Sequence, residues 1–376
     1  MIDLSTRRDP VLDSAKGFLI LLVIMGHLLA RSHPSDATIT KAMITGIYAF
    51  HMPAFVFLAG ITSKPRGIAK RCVQFLTLLA VFEAAFFWVR RLMGSEAPFN
   101  WESPYWLLWF LLSMTVWTLV TPLIAKAPRA SLVASIVISL VAGMIDWVGY
   151  PFSVSRTLVF LPFFVAGFTH GKSVLAYISK LHTRGRGVIF GVAVLVFGIL
   201  LYWKPKHSWF YGSKGYEVLD VSDLSGVAHR LVFQLVAVVF TVGMLVLIPR
   251  QPNLLTRYGE RSLSIYLLHG FAIMVLGRYV SDMAKDNVWV AVGILVVLAA
   301  GIAVLTSMQP VHRLIVRIGT LFVPLVDWLG SLMSRKPSGS AATVEPPASS
   351  TSGQGDTSAD GQLASAEGRI NDVDPR

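Results

Sequence analysis

Six ionisable residues stand out because the sequence around them is almost wholly apolar. Lys16 and His27 lie eleven positions apart in one apolar run, with Asp13 three residues before Lys16. On a helix that spacing is about 16 Å along the axis and roughly 20° beyond three full turns, so both residues point down one face. His51 stands two positions before Pro53 in the next run, Glu83 among Phe82, Phe86 and Phe87 in the third, and His269 in a later one. A near-neutral imidazole can take a proton from a hydroxyl, and histidines with a carboxylate can relay protons through a membrane. Each group also has a plain structural use. Lys16 can snorkel to the headgroups, His27 can hydrogen-bond within a bundle, and His51 can stabilise the bend that Pro53 imposes. Glu83 calls for a basic or histidine partner, because an unpaired carboxylate is costly in that setting.

The elements that carry these groups follow from composition. The chain has 376 residues, of which 54% are hydrophobic and 14% charged, with a mean hydropathy of +0.62. Soluble domains carry about 25% charged residues, so a secreted, disordered or ordinary cytosolic protein is excluded. A membrane helix needs about 20 mainly apolar residues. Ten segments meet that need: 11–30, 40–61, 68–89, 104–125, 131–150, 156–170, 187–203, 229–248, 262–280 and 288–308. The expected fold class is therefore an all-α polytopic membrane helix bundle with ten transmembrane helices. Arg7 and Arg8 precede an apolar run without a small-residue cleavage site, so the first span is expected to be retained. Residues 1–310 form the transmembrane domain in this reading. The segment 311–334, interrupted by His312, Arg313, Arg317, Pro324 and Asp327, reads as an amphipathic helix on the cytoplasmic face. The composition of 335–376 points to a disordered cytoplasmic tail.

Charge orients the bundle. The net charge is +12, although the last 40 residues hold two arginines against six carboxylates. The basic excess sits in alternate loops, among them Lys64, Arg66, Lys70 and Arg71, then Lys172, Lys180, Arg184 and Arg186. The opposite loops mix acids with bases, as in Lys204, Lys206, Lys214, Glu217, Asp220 and Asp223. By the positive-inside rule the first set, and both termini, face the cytoplasm. Basic residues spread over loops, with no soluble scaffold to present them as a patch, argue against a nucleic-acid partner. The single cysteine, Cys72, allows no intramolecular disulfide and no cysteine-based metal site, and no metal is expected. The outer loop 204–228 carries Trp209, Phe210, Tyr211 and Tyr216, suited to interfacial anchoring or to stacking against a sugar. A channel, a proton-coupled transporter of polysaccharide or ions, a structural subunit of a polysaccharide-export complex and an acyltransferase could each use such residues.

The order of the motifs is more specific. Leu12-Asp13-x-x-Lys16-Gly17 leading to Gly26-His27, then Phe50-His51-Met52-Pro53 running to Gly60, then Tyr105-Trp106-Leu-Leu-Trp109-Phe110 follow one another along the chain. Phe160-Leu-Pro-Phe-Phe-Val-Ala-Gly167 and Gly259-Glu-Arg-Ser262-Leu-Ser-Ile-Tyr-Leu-Leu-His269 complete the series. In this order they resemble the membrane acyltransferase-3 family, in particular its fucose-4-O-acetylase-like sugar O-acetyltransferases, over about residues 8–308. Lys16 stands where many members carry Arg, keeping the charge but not the bidentate fork.

The resemblance implies an enzyme of the bacterial inner membrane that moves an acetyl group from cytoplasmic acetyl-CoA, a co-substrate, to a sugar hydroxyl on the outer side. The acceptor would be a lipid-linked oligosaccharide or an exopolysaccharide, and the partners the bilayer and the polysaccharide biosynthesis machinery. His27 would act as general base or carry the acetyl group covalently. Lys16 would line the path of the pantetheine arm, and His51 would orient groups or stabilise the oxyanion. Arg66, Lys70 and Arg71 are candidates for the CoA phosphates, while Asp13, Glu83, Trp106 and His269 would support the site.

Overall fold

The computed structural model describes residues 9–32, 38–283 and 287–334. The expected tail and the Arg7–Arg8 pair lie outside them. Every regular element among the described residues is helical. In chain order these are α1 (Pro10–Ser32), α2 (Thr38–Tyr48), α3 (His51–Thr62), α4 (Ile68–Leu92), α5 (Trp109–Lys126), α6 (Pro128–Val141) and α7 (Val154–Lys180). The remainder are α8 (Thr183–Trp203), α9 (Asp223–Leu245), α10 (Leu254–Glu260), α11 (Ser262–Met283), α12 (Val288–Thr306), α13 (Gln309–Thr320) and α14 (Val323–Ser334).

Among the described residues nine helical stretches are long and apolar enough to cross a membrane. Eight fall on spans expected from sequence. The other two expected spans meet shorter apolar helices, Pro128–Met144 and Ser262–Leu276, and the ninth long stretch is Gln309–Leu332. The fifth span is curtailed because helical geometry gives out beyond Met144, in a stretch holding Gly149 and Pro151. The segment beyond α12 is two helices, not one, parted at Leu321–Phe322 just before Pro324. Proline at the second position of α14 suits a helix start, where no intrahelical N–H is needed.

Two glycine pairs let helices touch at the backbone. A Cβ on Gly60 would fall 2.3 Å from the Phe164 carbonyl oxygen, and one on Gly167 would fall 2.0 Å from that of Phe57. These glycines, one from each of two motifs, seat α3 against α7 by the small-residue packing usual between membrane helices. At the start of α1, a Cβ on Gly17 would lie 1.9 Å from the Leu255 oxygen, and one on Gly259 would lie 1.7 Å from the Asp13 oxygen. The short α10 is thereby locked onto α1, where Ser14 and Thr256 share a hydroxyl hydrogen bond of 2.7 Å. Asn253 caps α10 by accepting from the Leu255 N–H at 2.8 Å, and its own N–H donates to Thr256 Oγ1 at 3.0 Å, a reciprocal capping box.

Around these contacts the core divides into three apolar clusters. One joins α1, α3, α5 and α7, with Trp117 and Phe164 fully buried. Another joins α1, α2, α9, α11 and α12. The third links α4, α5 and α11 to Ile315 of α13. α1 belongs to the first two, which makes it the axis on which the candidate site is mounted.

Candidate active site

The second apolar span is broken. Helical geometry lapses at Ala49–Phe50, and α3 starts afresh at His51 with Pro53 in its first turn. The break exposes a carbonyl of α2, and the His51 ring meets it: Nδ1–H donates to the Ile47 oxygen at 2.9 Å. The structural use considered for His51 and a place in the cavity are therefore compatible. The ring caps the broken helix, and it lines the cavity that the break opens. With the proton committed at Nδ1, its Nε2 keeps a lone pair.

His27, in the last turns of α1, faces that break. Its Nδ1 lies 3.4 Å from the Tyr48 hydroxyl at the end of α2. Its ring sits 4.8 Å from Trp106, edge-on, and 5.5 Å from His269 of α11, stacked. His269 is fully buried and donates from Nδ1 to the Ile265 carbonyl at 3.0 Å. Its Nε2 is buried with no hydrogen-bond partner, so a bare lone pair lies on the far side of the His27 ring. Unpaired buried polar atoms are uncommon and point to strain or function.

Trp106 is held against its backbone preference. Its φ is 42°, in the left-handed region that bulky residues rarely adopt, and such strain gathers at functional sites. Three contacts hold the turn. The Tyr105 N–H donates to Glu83 Oε2 at 2.8 Å, the Tyr266 hydroxyl donates to the Leu107 carbonyl, and Phe86 packs 5.1 Å from the Tyr105 ring. Glu83 thus accepts a backbone N–H, and the Arg90 guanidinium adds a favourable charge interaction. Its carboxylate stands behind the cavity wall, fixing the turn that brings Trp106 to His27.

The cavity measures about 480 Å³ and is lined by His27, Arg31, Tyr48, His51, Trp106, Trp109, Arg156 and Tyr211, among others. It lies at the end of the bundle where α1 finishes and α5 and α7 begin. The loop between α8 and α9 closes one side with Phe210 and Tyr211, and the Tyr211 ring stands 5.3 Å from Tyr48. Burial pushes the Tyr211 phenol above its ordinary range, so it stays protonated and able to donate. The other loop aromatics serve packing. Trp209 stacks on His229 at 5.3 Å, and the fully buried Tyr216 lies 4.4 Å under the Arg230 guanidinium.

Arg156 was not singled out in the sequence, where it reads as the residue that opens the sixth apolar segment. Its guanidinium carbon lies 5.3 Å over the Trp109 ring and 4.9 Å over that of Tyr150. Its Nε donates to the Tyr211 carbonyl at 3.4 Å. Trp109 and Tyr266 stand within motifs read from the sequence and Tyr48 just ahead of one, but none was given a role there.

The remaining candidates stand apart from the cavity. Lys16 sits toward the opposite end of α1, 3.8 Å from Asp13 and beside α10. Lys70 pairs with Asp327 of α14 at 2.6 Å, both side chains about half exposed. Arg71 donates to the carbonyls of Lys64 and Arg66, bracing the loop before α4. Among the described residues no three His, Cys, Asp or Glu side chains converge as a metal site.

Residues 9–308 match the family described as "Acyltransferase domain". The chain is 33% identical over 129 residues to "Nodulation protein NolL" of Sinorhizobium fredii, covering 29% of this chain and 35% of that protein. It is 31% identical over 125 residues to "Nodulation protein NolL" of Mesorhizobium japonicum, covering 28% and 34%. The chain thus spans about a third of the length of the curated relatives it matches. No solved structure matches.

Proposed function

The chain belongs to the acyltransferase-3 family of multi-pass membrane proteins, and from that premise we propose that it moves an acetyl group from cytoplasmic acetyl-CoA to a sugar hydroxyl. The acceptor is a lipid-linked oligosaccharide or exopolysaccharide at the outer face of a bacterial inner membrane. The observation that carries this reading is the cavity itself, where His27 and His51 share one polar space walled by aromatic rings.

His27 is the general base. With its Nδ1–H donating to the Tyr48 oxygen, the 3.4 Å contact leaves Nε2 free to take the acceptor's hydroxyl proton. The sugar oxygen then attacks the thioester carbonyl carbon, the C–S bond breaks, and the CoA sulfur leaves with the proton that His27 had taken. The products are an O-acetyl ester and the free thiol. His51, its Nδ1–H committed to Ile47, offers Nε2 to accept a second acceptor hydroxyl and so orients the sugar. Trp106 fixes the His27 ring edge-on, which limits the base to one direction. His269 backs that ring.

Lys16 and the basic loop before α4 serve the donor. In this reading Arg66, Lys70 and Arg71 meet the CoA phosphates at the cytoplasmic face, and Lys16, with Asp13 at 3.8 Å, flanks the route of the pantetheine arm toward His27. The cytoplasmic placement of both termini follows from the same polarity.

The test replaces His27 with alanine and measures both the O-acetyl content of the cell's polysaccharide and acetyl-CoA consumption in membranes. Loss of both, with normal expression, is the expected result. Undiminished acetylation sinks the proposal.

A further inference from the structure

We propose that the cavity is selective for an acidic acceptor, with Arg156 receiving an oxyanion that the sugar carries near the hydroxyl to be acylated. This deepens the preceding reading, since it takes the same cavity to be the acceptor's seat. The first observation is a charge imbalance. Arg31 and Arg156 line the cavity, and no carboxylate lines it among the described residues. Glu83 does not line the cavity and already accepts the Tyr105 N–H.

The second observation is how Arg156 is held. Its guanidinium carbon stands over the Trp109 and Tyr150 rings at 5.3 Å and 4.9 Å, an attraction that favours the cation without neutralising it. Its five N–H donors lie in the guanidinium plane. Nε meets the Tyr211 carbonyl at a long 3.4 Å, and the Tyr150 side chain takes one further bond. The donors left over belong to the terminal nitrogens, the fork that matches a carboxylate or phosphate in two parallel bonds. A partly buried charge without an opposite partner is unfavourable, and an anion brought by the substrate removes that penalty.

The third observation is the walls. Trp106, Trp109 and Phe160 line the space beside the guanidinium, and its volume of about 480 Å³ falls in the ordinary range of small-ligand sites, about 300–1,000 Å³. One sugar with a charged substituent fits this mixture of aromatic walls and the cationic fork of Arg156. The oxyanion has two possible sources, a carboxylate on the sugar or the phosphate that joins a sugar to its carrier lipid.

The experiment uses the full chain in phosphatidylcholine nanodiscs and reads binding directly by saturation-transfer NMR titration. The probes are methyl glucuronide, glucose 1-phosphate and the uncharged methyl glucoside. At least one anion is expected to bind about tenfold or more tightly than the glucoside, the scale of one charge-assisted contact. Preference for the glucuronide assigns the carboxylate, and preference for the phosphate assigns the carrier linkage. In Arg156→Gln the preference falls to about one, while Arg156→Lys, a point charge without the fork, keeps part of it. Equal binding of all three probes, no binding of any, or a preference that survives Arg156→Gln overturns the inference. Acetyl transfer in the same discs separates the two ideas. Transfer without preference sinks the acidic-acceptor inference alone, and preference without transfer sinks the transfer reading alone.

Discussion

At the Lys16 end of α1, Gly17 and Gly259 bring the helix against α10 so closely that no Cβ could be added. The Ser14–Thr256 hydrogen bond and the Asn253 cap close that contact. At the His27 end the same helix borders a cavity of about 480 Å³, facing a broken helix on one side and a strained turn on the other. One end is built of backbone contact and the other of side chains held apart around open space. The contrast teaches that the eleven-residue spacing does not bring Lys16 and His27 together. It carries a rigid rod from an anchored foot to a head that borders the cavity.

The largest expected effect lies at the head. His27→Ala lowers transfer by about 10²–10⁴-fold, the usual yield of a positioned general base, with thermal unfolding unchanged. A parallel fall in both quantities would mean that His27 is structural and would erase the contrast.

Gly259→Ala is the corresponding test at the foot. Its new methyl meets the Asp13 carbonyl oxygen at 1.7 Å, and two backbones must part to admit it. Overpacking of this kind costs about 1–3 kcal/mol, read as a lower unfolding temperature in detergent, while the activity of each folded molecule holds. A stability left at the wild-type value would show that α10 does not anchor α1.

Glu83 gives a smaller and sharper effect. Removing its carboxylate in Glu83→Ala strands the part-buried Tyr105 N–H, which costs about 1 kcal/mol and loosens the strained Trp106 turn. Transfer falls by about tenfold, and Glu83→Gln, which still offers an acceptor oxygen, stays close to wild type. Equal losses in both variants would point to a role for the charge itself.

The smallest effect concerns the exposed Lys70–Asp327 pair. Breaking it from either side changes stability by less than about 1 kcal/mol. The two substitutions differ in kinetics if Lys70 meets a CoA phosphate: Lys70→Ala raises the KM for acetyl-CoA, and Asp327→Asn leaves it the same or lower. Identical KM values in the two variants remove Lys70 from the donor site.

Much of this arrangement was legible in the chain. The apolar runs gave the helices because backbone groups in a membrane are satisfied within the helix itself, a local requirement that a local pattern records. His27, His51 and His269 stood out for a related reason, since polar groups are rare in such runs unless they have work. The fifth span was overread because hydrophobicity continues past the point where helical geometry stops. The backbone N–H that Glu83 meets could not be read from the chain, because a backbone donor leaves no trace in side-chain chemistry. Arg156 went unmarked because an arginine at the head of a span looks like an interfacial anchor until its neighbours are known.

By itself, then, the sequence determined the helical class, the family and the three histidines, all properties of short segments governed by the length of a bilayer-spanning helix and the cost of an ionisable group inside it. The tertiary structure decided which residues meet. The left-handed backbone of Trp106 and the close approach of α3 to α7 are set by contacts between segments far apart in the chain. Helical periodicity fixes the face on which a side chain stands, whereas convergence depends on where helices break and how closely their backbones pack.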